Sequence, residues 1–346
     1  MQNRNWKSAA VVRFGTCLLM LAFAGVASAD LITLSPVASG FNSPIGVDYH
    51  QPTNSLILSS NYPSGSPHTF ELVDTSGTHT QFSSVSGLTD EIYMASARST
   101  ANGFVAGETF TGNGQPGQIL KLSPDGSTVT SPWVTLPGEG GLLRGALHID
   151  TTGVWGGDLI VGTTTGGLWR VTAAGVATKI GNAPGIIEGI TTVPNDPLRY
   201  GAWAGKILAG SDGSALYTFD TSGVLAIYNL GFGSTENLQI PNAGETFYGV
   251  DFGGNTLWGA DSSQWTPYVG DIIMGEENGN LWDIAWNGAS FDKTLLTHVS
   301  QWEGATFAPT TLPGIPGVPE PGSLVLLGTA VCGVALSRFR RSFKKS

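Results

Sequence analysis

The sequence predicts an all-β exported domain: a β-propeller of five or six four-stranded blades, preceded by a signal peptide and followed by a short C-terminal transmembrane helix. Three observations predict it. Short β-branched and aromatic runs alternate with Gly, Asn, Asp and Pro, and no long stretch of the middle carries a 3.6-residue amphipathic period. A strand-and-turn unit recurs at a spacing near 50 residues. Apolar segments at both ends are set apart from the repeats and hold the only two cysteines, Cys17 and Cys332.

The repeat is clearest in a strand that ends in a turn glycine. Phe70 to Gly77, Ile119 to Gly126, Leu168 to Gly175, Leu216 to Gly223 and Leu281 to Gly288 align, with glycines 49, 49, 48 and 65 residues apart. Glycine tolerates the positive φ such turns require. A second strand precedes the later copies at fixed distance: Gly157 to Gly162, Gly205 to Gly210 and Gly270 to Gly275. Ser55 to Ser59 and Gly103 to Gly107 are looser versions. A third strand follows each turn, as in Val176 to Ile180 and Val224 to Tyr228. A further strand opens each unit, at Ile45 to Asp48, Glu91 to Tyr93, Arg144 to Ala146, Glu188 to Thr192, Glu236 to Leu238 and Glu303 to Phe307. Four short antiparallel strands per repeat is the pattern of a propeller blade. An irregular β-sandwich or a β-solenoid is the alternative, although the units are long for a solenoid. The wide last gap holds about 16 extra residues around Gly244 to Tyr268 and reads as a long loop or a degenerate sixth blade. Leu31 to Leu34 and the strand at Glu303 could join the two ends of the ring.

The N-terminus has the three parts of a secretory signal. Arg4, Lys7 and Arg13 precede an apolar run from Phe14 to Val26, and Ala27-Ser28-Ala29 offers cleavage before Asp30. This divides the chain into a signal peptide (1–29), the exported domain (30–308), a Pro/Gly-rich linker (309–317) expected to be a semi-rigid spacer, and a C-terminal segment (318–346).

That last segment begins Val318-Pro319-Glu320-Pro321, continues through an apolar run ending at Leu336, and closes on Arg338, Arg340, Arg341, Lys344 and Lys345. The prolines enforce an extended stretch, and the basic cluster favours the cytoplasmic side of a membrane. Ser323 to Ser337 is 15 residues, short of the roughly 20 of a plain helical anchor. This order of parts resembles the PEP-CTERM sorting signal of Gram-negative bacteria. The resemblance implies recognition and processing by an exosortase, membrane insertion through the C-terminal helix before processing, and final placement at the cell surface or outside the cell. It also implies an association with exopolysaccharide or biofilm matrix. It covers about thirty residues and says nothing about the exported domain.

Charge narrows the partners. Three of the 16 Lys and Arg lie in the signal peptide and five in the tail, leaving eight against 26 Asp and Glu between Asp30 and Glu320. Nucleic acid and anionic lipid are poor partners for such a surface. With no cysteine between the two end segments, the domain must be stable in an oxidising compartment without disulfides.

No standard catalytic motif is present, and the five histidines, His50, His68, His79, His148 and His298, show no ligand-like spacing. A binding or structural role is therefore expected above an enzymatic one. Two candidate sites follow from the repeat. Glu91, Glu188, Glu236 and Glu303 stand at the starts of opening strands, with Arg144 at the equivalent place of another. Opening strands line a propeller's channel, so these carboxylates would converge near one end, where a hard cation such as Ca²⁺ would relieve their repulsion. Such a channel resembles those of some six-bladed metal-dependent hydrolases and lactonases, the competing functional class. A protein-interaction scaffold is a third reading. The second candidate is the aromatic set Tyr248, Trp258, Trp265 and Tyr268 in the long gap, whose rings could stack on sugars if exposed and otherwise pack between blades.

Overall fold

The structure is a computed structural model that describes residues 30–309 with the exception of residue 75. The signal peptide up to Ala29 and the segment beyond Pro309, with the sorting motif, lie outside the described residues. Among the described residues, 24 strands form six four-stranded antiparallel sheets, and no helix is long and apolar enough to cross a membrane.

The first strand, β1 (Ser35–Ser39), stands apart from the blade that follows it. Blade one is β2 (Val47–His50), β3 (Ser55–Ser59), β4 (Phe70–Val73) and β5 (His79–Gln81). Blade two is β6 (Met94–Ser96), β7 (Thr109–Gly112), β8 (Gln118–Leu122) and β9 (Val129–Thr135). Blade three is β10 (Leu147–Ile149), β11 (Leu159–Gly162), β12 (Gly167–Val171) and β13 (Ala177–Asn182). Blade four is β14 (Glu188–Thr192), β15 (Ile207–Gly210), β16 (Ala215–Phe219) and β17 (Leu225–Asn229). The chain then runs through β18 (Thr235–Gln239), β19 (Glu245–Asp251), β20 (Thr256–Ala260), β21 (Ile272–Glu276), β22 (Asn280–Trp286), β23 (Phe291–His298) and β24 (Trp302–Pro309). Blade five is β18-β21-β22-β23, and blade six, from the centre outwards, is β24-β19-β20-β1.

The blade count is therefore six, and the wide last gap is the middle of the sixth blade. After β18 the chain leaves blade five, makes the β19–β20 hairpin in blade six, and returns to finish blade five. The ends then close the ring: β24 is the innermost strand of blade six and β1 the outermost, the latter paired with β20 from Ser35 opposite Gly259 to Ser39 opposite Thr256. The ring-closing N-terminal strand lies one step downstream of Leu31 to Leu34. The second strand of blade two is Thr109–Gly112 and not Gly103 to Gly107, which is a turn held by Glu108 donating its N–H to the Val105 carbonyl.

Burial follows the radius. Second strands β3, β11 and β15 are buried throughout, while the outer strand β5 is exposed throughout. Two-sided burial explains why the second strands read as unbroken apolar runs such as Leu159-Ile160-Val161. The apolar core divides into six clusters, one at each blade–blade interface. The repeated turn glycines have a packing role as well as a conformational one. Gly126 (φ +68°) presses so closely on the Phe82 carbonyl, at the edge of the preceding blade, that a Cβ would strike it, and Gly223 stands in the same way against Ile180.

The aromatic set of the long gap is corrected by this arrangement. Trp265 is 1% exposed and Tyr248 3% exposed. Trp265 packs edge-on against Phe307, ring centroids 4.8 Å apart at 90°, and lies 5.2 Å from Phe247, at the interface of blades five and six. Tyr248 belongs to the interface of blades six and one. Trp258 is half-buried with Nε1 donating to Asp251 Oδ2 at 3.3 Å, and Tyr268 leans on Trp265. Trp265 and Tyr248 thus serve to close the propeller and offer no face to a sugar, while Trp258 and Tyr268 are half-buried against it. Trp265→Ala should accordingly destabilise the domain by about 3–5 kcal/mol, read as a loss of thermal midpoint, whereas an unchanged midpoint would mean that the ring is not part of the core.

Candidate functional site

The innermost strands β2, β6, β10, β14, β18 and β24 surround one channel. Their two ends have different chemistry.

At the end where these strands begin, three of the expected carboxylates come together. Tyr93, just before β6, places its hydroxyl 3.0 Å from Glu236 Oε2 and 2.6 Å from Glu303 Oε2. Blades two and five face each other across the ring, so this contact spans the channel. Ser234 Oγ then links Glu236 Oε1 at 3.3 Å to Glu188 Oε2 at 3.2 Å, and Gln301 Nε2 donates to Glu303 Oε1 at 3.0 Å. The result is a chain of hydrogen-bonding groups from blade four through five, two and six. Tyr93, Glu188, Glu236 and Glu303 are all buried.

A phenol has one proton to donate. Tyr93 lies within hydrogen-bond distance of two carboxyl groups, so both contacts are hydrogen bonds only if one of those groups carries a proton and donates it to the phenol oxygen. Electrostatics agrees. Burial, then the neighbouring Glu303 and Glu188 charges, push Glu236 well above the usual carboxylate range. Burial likewise raises Glu303 against the opposing hydrogen bond from Tyr93. Glu188 is raised to about 7 by burial, with Ser234 and Arg144 opposing.

The fourth carboxylate, Glu91, does not join this group. It forms a two-pronged ion pair with Arg144 through Nε and Nη2. The arrangement does not fit a Ca²⁺ centre. Among the described residues no three His, Cys, Asp or Glu side chains are placed to hold a metal ion, one of the four expected ligands is bound to an arginine, and two are engaged by the same tyrosine hydroxyl. Protons relieve the repulsion that a cation was expected to relieve.

At the other end, where the inner strands finish, lies a basin of about 630 Å³ lined by residues of all six blades, among them Asp48, Ser96, His148, Thr192, Gln239 and Thr306's neighbours Ala305 and Phe307. Arg98 is its organising side chain. It donates to Asp48 Oδ1 at 2.9 Å, Thr306 Oγ1 at 2.7 Å and the Phe307 carbonyl at 2.7 Å, tying the loop after β6 to blades one and six. His148 Nε2 lies 3.1 Å from Thr192 Oγ1. Burial drives its pKa down to about 4, against the opposing charges of Asp150 and Asp48, so the ring is neutral at neutral pH.

Sequence reading missed this basin. His148 stood among histidines without ligand spacing, and Arg98 lies in a loop outside the repeat. The available signal was the inner strand itself. Side chains alternate along a strand, so residues further along the opening strands, such as Asp48 and Gln239, line the same channel. Tyr93 was within the opening strand but carries no charge to attract notice.

No family model and no curated protein matches the chain. Solved structures do. A glucose dehydrogenase is 11% identical, with a TM-score of 0.52 over 77% of this chain and 89% of that one. A gluconolactonase from Xanthomonas campestris is 12% identical, with a TM-score of 0.37 over 67% of this chain and 91% of that one. An auxiliary nutrient-binding protein from Bacteroides thetaiotaomicron is 11% identical, with a TM-score of 0.44 over 65% and 60%. At these identities the likeness is one of fold.

The raised carboxylates set the sign of the pH dependence. The folded protein holds these protons more tightly than the unfolded chain, whose carboxyls titrate near pH 4.3. Stability should therefore be full below about pH 4.3 and fall as pH rises through 7 and beyond, by up to about 1.4 kcal/mol per pH unit for each proton retained. Glu236→Gln removes one of these titrations. Its melting midpoint should exceed that of the parent near pH 8 and approach it near pH 4; parallel curves would disprove the shared proton. Tyr93→Phe leaves two buried carboxyls without their common partner and should cost about 1–3 kcal/mol.

Proposed function

We propose that this chain is an exported protein of a bacterial cell surface or extracellular matrix, processed by an exosortase through its Pro-Glu-Pro tail, and that its propeller binds or organises exopolysaccharide. The observation that carries the reading is the succession of parts in the C-terminal sequence: Val318 to Pro321, a 15-residue apolar run from Ser323 and a basic end, following a domain with no cysteine and an N-terminal stretch that reads as an export signal. The domain suits that destination. It is stabilised by six interblade cores and needs no disulfide, and its acidic surface disfavours nucleic acid and anionic lipid.

A metal-dependent hydrolase or lactonase using the channel is the second reading. One observation favours a reactive channel: Glu188, with a pKa near 7 and Ser234 beside it, is poised to exchange a proton at neutral pH. The donor set at that end does not supply a metal centre, so the binding role is preferred.

The tail is tested in the native host. Replacing Pro319 and Pro321 by Ala should leave an unprocessed form in the membrane, as should loss of the host's exosortase. Normal processing and release of that variant would refute the sorting reading. Turnover of a generic ester or lactone, abolished by Glu188→Gln, would transfer the case to the enzyme.

A further inference from the structure

We propose that the basin around Arg98 and His148 is a binding site for a neutral polyol, which enters end-on as a free small molecule or as the terminal residue of a chain. The proposal deepens the glycan reading above and rests on it for the polymer. Its own grounds are the shape and the hydrogen-bonding inventory of the channel.

Shape comes first. The Tyr93 hydroxyl reaches Glu236 on the opposite blade, and Tyr93, Glu236 and Glu303 are 7%, 5% and 4% exposed. Tyr93 directly precedes Met94, which lines the basin. The crossing side chains thus obstruct the channel one residue beyond the basin-lining Met94, and a channel obstructed there makes the basin a blind site. A blind site cannot pass the middle of a polymer. Its volume of about 630 Å³ falls within the range of small-molecule sites, about 300–1,000 Å³.

Chemistry selects the class. Asp48 accepts from the Tyr49 N–H at 2.7 Å, the Ser96 N–H at 2.7 Å, Arg98 at 2.9 Å and Thr306 Oγ1 at 2.8 Å. Asp150 accepts from the Thr152 N–H and hydroxyl at 2.9 and 2.7 Å, and from the Trp155 and Gly157 N–H groups at 2.9 and 3.0 Å. A carboxylate offers about four acceptor sites; those of Asp150 are filled by the protein, and Asp48 already takes three donors on Oδ1 and one on Oδ2, with Arg98 balancing its charge. The Arg98 guanidinium places three of its five donors on Asp48, Thr306 and the Phe307 carbonyl, with Glu245 3.9 Å away. An anionic ligand would therefore meet three carboxylates against one arginine that is already paired with Asp48. His148 Nδ1 and Gln239 Oε1 accept or donate no hydrogen bond among the described residues, while Gln239 Nε2 is fixed on the Ala305 carbonyl at 2.9 Å. A neutral imidazole and an amide oxygen call for groups that both donate and accept, which hydroxyls do. Met94, Phe104, Ile240 and Phe307 supply apolar wall for the carbon face of such a ligand.

The test uses the full chain in detergent and the neutral fraction of the host's exopolysaccharide, before and after partial hydrolysis, with hyaluronan as an acidic control. End-on capture makes sites proportional to chain ends, so shortening the polymer about tenfold should raise protein bound per gram about tenfold. Ala101→Trp, on the exposed rim of the basin, should abolish binding at an unchanged melting midpoint. Gln239→Leu should weaken it at least tenfold and serves as the second variant if the first does not fold. Binding per gram that ignores chain length and survives both substitutions would overturn the basin while leaving the matrix role intact. Preference for hyaluronan would overturn the neutral class. Absence of binding at every length, in protein whose tail is processed normally, would overturn the basin and the glycan role but not the export reading.

Discussion

Closure of the ring is the constraint on which the structure depends. A four-stranded sheet with two apolar faces has to be covered on both sides, and only a complete circle covers all six. The chain achieves this by composing the sixth sheet from three distant segments: β24 at the centre, the β19–β20 hairpin in the middle and β1 at the rim. Pairing β1 with β20 closes a loop of more than 200 residues, yet loop-closure entropy grows only logarithmically with length. The aromatic group of Phe247, Trp265, Trp302 and Phe307, all buried at the seam of blades five and six, offsets that cost. Because the chain leaves blade five after one strand and returns later, these two blades cannot form independently of each other. The seam is a cooperative unit.

Closure also explains why so much of the fold was legible. Blades one, two and four press a turn glycine on the preceding blade, at Gly77, Gly126 and Gly223, and the second strands are buried, so geometry repeats in sequence even where side chains do not. The glycines at 77, 126, 175, 223 and 288 all adopt positive φ. The repeat fails where the topology does. Blade six has no contiguous copy, because its strands come from both ends and from an insertion, and a count of copies stops at five. Aromatic residues in that insertion could be read either as exposed platforms or as core. Composition does not distinguish the two; only the knowledge that the insertion is a blade does.

The candidate sites were legible to different depths for a physical reason. Glu188, Glu236 and Glu303 occupy equivalent places, and symmetry brought them together as the repeat implied. Glu91 escaped by one position of register, since the residue after it, Ile92, is the one buried at the corresponding level of blade two, and Arg144 captured it. Tyr93 was the element that sequence could not supply. Its hydroxyl reaches across the ring, and contacts between opposite blades have no counterpart in a local pattern. The basin residues were obscure for the same reason: Arg98 acts from a loop on blades one and six, more than 200 residues away in sequence from Thr306.

The channel thus contains buried carboxylates resolved in two opposite ways. At the end where the inner strands begin, donors are too few, and the group keeps protons that a solvated carboxylate would lose. At the other end backbone N–H groups, hydroxyls and one arginine fill the acceptor sites, and Asp150 is held below its ordinary pKa by those donors against the cost of burial. The first end changes state around neutral pH, through Glu188; the second does not, because Asp150 stays charged and His148 stays neutral there. A ligand held in the basin would meet the same surface through that range while the stability of the whole ring declined with rising pH. Tyr93 stands between the two ends, as the partner of Glu236 and Glu303 on one side and the chain neighbour of the basin-lining Met94 on the other.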